Sequence, residues 1–131
     1  MKSLHVSGTR KSAIARATLV PGSGIVRINS QLLNAYEPAI SRLKIQEPLI
    51  IAGDKAKNVN ISVSVHGGGQ SSQAEAARLV VARVLARYDQ TLQKDFLDYD
   101  RILLVADVRR KETHKPNCHG KARAMRQKSY R

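Results

Sequence analysis

Tryptophan is absent from this 131-residue chain, phenylalanine occurs once and tyrosine four times. A base-stacking RNA platform needs several aromatic side chains on adjacent strands. The strand-like stretches here hold none, so stacking is not the chain's main mode of binding. Cysteine occurs once, at Cys118, which excludes an internal disulfide and fits a reducing compartment. No apolar run approaches the roughly 18 residues of a membrane span. The opening residues "MKSLHVSGTR" lack the apolar stretch of a secretory signal. A soluble, intracellular chain with no membrane partner is the expectation. Acids are scarce as well: ten stand against 23 lysines and arginines, for a net charge of +13.

The charge is unevenly placed. Residues 1–30 hold Lys2, Arg10, Lys11, Arg16 and Arg27 with no acid, residues 31–107 hold nine basic and nine acidic side chains, and residues 108–131 hold nine basic ones against Glu112 alone. A neutral middle between two basic ends predicts a folded platform offering charged arms to a polyanion. The length suits one hydrophobic core and not two. We therefore expect a globular domain over 1–107 and a basic tail over 108–131. The tail, ending "KARAMRQKSYR", has almost no large apolar residues and no hydrophobic period, so it cannot bury itself and depends on a partner.

Within the platform, "SAIARATLVPGSGIVRI" reads as two β-branched runs joined by the Pro21–Gly24 turn cluster, which predicts a hairpin. "NVNISVSV" alternates strictly and predicts a strand with Val59, Ile61, Val63 and Val65 on its buried face. "RILLVAD", apolar on both sides, reads as an interior strand. After the glycines, Ser72 and Glu75 form a capping box, and Ala77, Val80, Val81, Val84, Leu85 and Tyr88 recur at helical spacing as one buried stripe. Arg83 and Arg87 lie on another face, as a solvated ridge or a phosphate contact. Shorter helices are expected at Ser30–Tyr36 and at Ala39–Glu47, the latter with Pro38 in its first turn.

One motif imitates two catalytic signatures, and each fails on a missing partner. "HGGGQSSQ" has no lysine after Gly67–Gly69 as a Walker A loop requires, and no G-x-S-x-G elbow accompanies it as an esterase loop requires. A strand-to-helix turn is the simpler reading, with glycines at positive φ or under a close backbone. Free N–H groups at that helix start could also take an RNA phosphate. His114, Cys118 and His119 offer three candidate metal ligands, two of them adjacent, where a closed zinc site wants four. Isolated His5 and His66 read as satisfied polar side chains near the sheet. No enzyme activity, cofactor or metal is expected. What remains is recognition of nucleic-acid phosphates by lysine and arginine.

Three stretches together resemble one family. "SGTRKSAIARATLVPGSGIVRIN" is similar to its T-G-x-R-K-x-A-I-A-R signature followed by G-x-G-x-x-x-x-N, "HGGGQSSQAEAARLVVARVL" to its glycine loop and helix, and "DVRRKETHKP…KARAMRQKSYR" to its basic tail. The family is the universal small-subunit ribosomal protein numbered nine, and the Gln-Lys-Ser-Tyr-Arg ending resembles its archaeal and eukaryotic branch. The resemblance covers the whole chain, with one local departure: "NCHGKAR" stands where relatives are glycine-rich and basic.

That resemblance implies an α+β fold: a four-stranded mixed sheet with helices packed on it, shared with the second domain of small-subunit ribosomal protein five, with a left-handed β-α-β crossover. It implies a cytoplasmic, non-enzymatic component of the small-subunit head, beside neighbouring head proteins. Ribosomal RNA would be bound by Arg10, Lys11, Arg16, Arg109, Arg110, Lys111, Lys115, Lys121, Arg123 and Arg126, and P-site transfer RNA by Lys128, Ser129, Tyr130 and Arg131. A free-standing RNA- or DNA-binding regulator using the same basic arms is the alternative.

Overall fold

The computed structural model of the chain describes residues 3–125 and 129–130. Its centre is one mixed sheet in the order β1-β2-β5-β3-β4. The strands are β1 (Leu4–Arg10), β2 (Ala13–Pro21), β3 (Val26–Ile28), β4 (Gln31–Leu32) and β5 (Val59–His66). All neighbours are antiparallel except β3 and β5, which are parallel. The helices are α1 (Ala39–Ala52), α2 (Asp54–Lys57), α3 (Gln70–Tyr88) and α4 (Thr91–Tyr99), with one-turn 3-10 helices at Leu33–Ala35 and Arg101–Leu103.

Alternation along the strands decides which face of the sheet is covered. Val59, Ile61, Val63 and Val65 are buried while Ser62, Ser64 and His66 are exposed, and Ala13, Ala15, Ala17 and Leu19 on β2 repeat the pattern. Helix α3 packs on β1, β2 and β5, and α1 packs on α3. The expected stripe from Ala77 to Leu85 is buried throughout, with Tyr88 half-buried at its end, and Ala74, Ala76, Leu79 and Ala82 widen it. A fully buried valine or leucine contributes about 1.5–3 kcal/mol, so this helix carries much of the domain's stability.

Six expectations are corrected. The sheet has five strands and not four: β4 is two residues long, and the residues that turn the chain into it, Asn29 and Ser30, have φ of 48° and 71°. Two residues are too few for a period to show in the sequence. Of Ser30–Tyr36 only Leu33–Ala35 is helical.

The Pro21–Gly24 cluster closes no hairpin, because β5 lies between β2 and β3. The loop instead crosses the start of β5. Asn60 Oδ1 accepts from Ser23 N at 2.9 Å and from Ile25 N at 3.0 Å, and Gly22 N donates to the Asn58 carbonyl. Non-local pairing and an asparagine reaching up from β5 overrode a strong local turn signal.

"RILLVAD" is no strand. Asp100 Oδ1 accepts from Ile102 N at 3.0 Å and starts a 3-10 turn in which Leu103 alone is buried and Ile102 is exposed. The Leu104 carbonyl is met by Arg83 and not by a neighbouring strand. Helix α3 starts at Gln70 after Gly69, two residues before the expected cap, and no side chain caps it. Helix α1 runs through Pro48 to Ala52, because the proline ring is buried on the inner face with Ile45 and Ala52, which offsets the hydrogen bond that proline cannot donate.

Candidate nucleic-acid interface

The N-terminal signature and the glycine loop meet in space. Gly67 and Gly68 have φ of 75° and 64°, and a Cβ on them would lie 2.6 Å from the Ser12 carbonyl oxygen and 2.9 Å from Ala13 N. Both reasons for glycine therefore hold here, the left-handed backbone and the close approach. Gln73 Nε2 donates to the Gly67 carbonyl at 3.0 Å and closes the loop from within α3. The tight β1–β2 turn that packs on this loop carries Lys11, exposed and at φ 53°. Asn29, the last residue of the first signature, exchanges two hydrogen bonds with the Val65 backbone at 2.8 and 3.0 Å, extending β3's pairing with β5 by a side chain.

Arg10 does not face outward. Its Nε donates to Glu75 Oε2 at 2.8 Å and its Nη2 lies 3.4 Å from Asp107 Oδ2, with only 14% of the side chain exposed. Lys44 reaches the other oxygen of Glu75 at 3.4 Å. Beside them Arg78 pairs with Asp100 at 3.2 Å and with Glu47 at 2.5 Å, the latter an ion pair without hydrogen-bond alignment. All of these groups but Asp100 line a cleft of about 240 Å³. Glu75, expected to cap its own helix, is thus spent on β1 and α1. Sequence spacing could not reveal partners 65 and 31 residues away.

Besides exposed Lys94 and Arg101, three sets of cations among the described residues are open to a ligand. On the uncovered face of the sheet, Arg16 stands in register with Ser7 and Ser64, and Arg27 with Ser62, which itself pairs with Thr18. Among the described residues no acid points from these strands. Arg27 is an exposed cation that the sequence reading did not single out, although its place between two buried neighbours, Val26 and Ile28, is an alternation signal that marks it as outward-facing. At the β1–β2 turn is Lys11. The third set begins at Val108, beyond which no described residue is in a helix or strand.

In that last stretch Lys111, Lys115 and Lys121 are exposed. Arg110 Nη2 donates to Thr9 Oγ1 at 3.1 Å. Arg109 forks onto Asp107 and is still 79% exposed. The Arg109 side chain and backbone N–H, helped by Arg10, hold the Asp107 carboxyl far below the usual carboxylate range. Arg123 pairs with Glu112, and Lys115 N donates to the Lys121 carbonyl at 2.9 Å, folding residues 112–123 back on themselves around Asn117 at φ 60°. Ser129 and Tyr130 are exposed, while Arg126, Lys128 and Arg131 lie outside the described residues. Among the described residues no group of three or more His, Cys, Asp or Glu could hold a metal ion.

Arg83 and Arg87 are neither a free ridge nor free phosphate ligands. Arg83 donates to the carbonyls of Leu104 and Ser7, and Arg87 to that of His5, at 2.8, 3.0 and 3.2 Å. β1 is an edge strand, so two arginines occupy the acceptors that would otherwise invite another chain. His5 Nδ1 lies 3.0 Å from Thr18 Oγ1, as expected of a satisfied polar side chain.

Comparison with known proteins shows the family of the chain. The sequence profile of the family described as ribosomal protein S9/S16 matches residues 8–131. The chain is 45% identical to the small ribosomal subunit protein uS9 of Methanococcus maripaludis and 46% identical to that of Methanococcus vannielii, each over 100% of both chains. Both fit the archaeal and eukaryotic-type branch.

Proposed function

Because this chain belongs to the ribosomal protein S9/S16 family, whose members are structural and non-enzymatic parts of the cytoplasmic ribosome, we propose that it binds small-subunit ribosomal RNA in the subunit head and reaches P-site transfer RNA with its C-terminal residues. The observation that carries the reading is the placement of cations. Residues 31–107 balance their own charge, whereas Lys11, Arg16, Lys111, Lys115 and Lys121, all outside that stretch, are exposed. Phosphate recognition by such side chains supplies affinity without base specificity.

Residues 1–107 act as the platform and 108–131 as an arm. Paid out straight, the 24 residues of the arm span on the order of 80 Å. That reach lets the last four, Lys128, Ser129, Tyr130 and Arg131, serve transfer RNA while the earlier basic residues serve ribosomal RNA. The pairs Arg123–Glu112 and Arg109–Asp107 would open or be shared when phosphates arrive. Arg10 is reassigned from RNA contact to holding the arm's root. The left-handed crossover and the likeness to the second domain of small-subunit protein five are carried by the resemblance.

The test is deletion of Tyr130 and Arg131. Subunits should still contain the protein, because eight of the nine basic side chains of the arm remain. Transfer-RNA dissociation from the P site should speed up, by up to the roughly 1.5–3 kcal/mol of one charge-assisted contact. Unchanged dissociation in subunits that contain the truncated chain would confine the arm to ribosomal RNA. Failure of the intact chain to co-sediment with small subunits would reject the reading as a whole.

A further inference from the structure

Helix α1 is apolar on the side where a surface helix should be polar. Ser41, Ile45, Pro48 and Ala52 face the core, and on a helix Leu43 and Ile50, seven residues apart, share the opposite side. Leu43 is 59% exposed, Ile50 74% and, one step round, Ile40 71%. Single exposed aliphatics are ordinary, but these continue into a groove of about 340 Å³ between α1 and the β3–β4 edge, where Ile25, Leu32, Leu49 and Gln46 meet.

We propose that this groove and the outer face of α1 dock an uncharged, aliphatic segment of a different protein of the small subunit. The inference rests on the ribosomal reading above and names the surface that reading leaves unassigned. Charge selects the occupant. In a chain of net charge +13, no residue lining the groove is charged. The charged residues of α1 are all engaged within the chain: Arg42 with the Asn34 carbonyl, Lys44 with Glu75 and Glu47 with Arg78. Ribosomal RNA is held through its phosphates and finds no charged group in the groove lining, and Arg42 at its edge is already on the Asn34 carbonyl. A second copy would bring another +13 alongside the first, which opposes close association. A charge-depleted apolar centre with a polar rim is the composition of a protein–protein contact. Asn34 and Gln46 are the rim amides in this groove, able to meet the backbone of a docked segment.

The experiment places photoreactive p-benzoylphenylalanine at position 43 or 50 of the full chain, and at exposed Gln93 on α4 as a control, in cells whose small subunits are then purified and irradiated. Both test positions should crosslink to one and the same protein, through a mapped aliphatic peptide, above the control. In parallel, a Leu43→Ser and Ile50→Ser chain should melt as the parent does, because both side chains are exposed. Its subunits should lose that neighbour, or the chain itself, at least about tenfold more readily in a salt wash, the loss expected when interface anchors are truncated. Adducts to ribosomal RNA, to a second copy, or none above the control would overturn the proposal while leaving the ribosomal reading intact. Absence of the unmodified chain from small subunits would reject both.

Discussion

Arg10 Nε donates to Glu75 Oε2 at 2.8 Å, and the same guanidinium lies 3.4 Å from Asp107. One side chain at the end of β1 therefore holds α3 and the root of the basic arm together. A residue of the family's R-K signature is committed to the fold, and its neighbour Lys11 is left to the solvent.

Replacing Arg10 by alanine should lower the stability of the free chain by about 1–2 kcal/mol. That is less than the 3–5 kcal/mol of a fully buried pair, since Glu75 is a third exposed and keeps Lys44. Arg16→Ala, on the open sheet face, should change it by no more than about 0.5 kcal/mol. Urea denaturation without RNA measures both. Equal, negligible effects would return Arg10 to the list of RNA contacts.

Val81 is fully buried in the α3 stripe. Val81→Asp would strand a carboxylate there at a cost of several kcal/mol, comparable to the roughly 5–15 kcal/mol that holds a domain together. The variant should lose its cooperative melt and fail to enter subunits. Normal assembly would mean that the wrong helix face has been assigned to the core.

Acid should weaken the body. Lys55 and Thr91 hold Asp89 at a pKa of about 2, and Arg109 lowers Asp107 further. A carboxylate whose folded pKa is lowered stabilises fully above its unfolded value of about 3.9, and that contribution fades as pH falls through the folded value. The melting temperature of the free chain should therefore drop between about pH 4 and about pH 2. Asp89→Asn and Asp107→Asn should each flatten part of the fall. A steeper fall in either variant would contradict the ion-pair assignment.

Binding of the isolated chain to ribosomal RNA should depend strongly on salt. For six to ten neutralised phosphates, affinity falls by roughly 10³ to 10⁵ between 50 and 200 mM salt by the estimate for a DNA duplex, and less on single strands. A titration giving a nearly flat response would mean that apolar contacts dominate over the basic arms.

Periodicity alone was enough for β5 and α3, because Val59 to Val65 and Ala77 to Leu85 repeat at the strand and helix periods over many residues, and one repeat specifies one buried face. That no described residue from Val108 on is in a helix or strand fits the converse signal, charge without period. Pairing across the chain was not legible in the sequence. That β5 inserts between β2 and β3, that Arg10 belongs to Glu75 and Asp107, and that Arg83 and Arg87 shield the edge of β1 depend on residues many positions apart. Local propensity is set by a residue and its near neighbours, whereas strand order and ion pairing are decided by which distant segments can bury apolar surface and satisfy backbone groups at the same time. Only the folded chain resolves that competition.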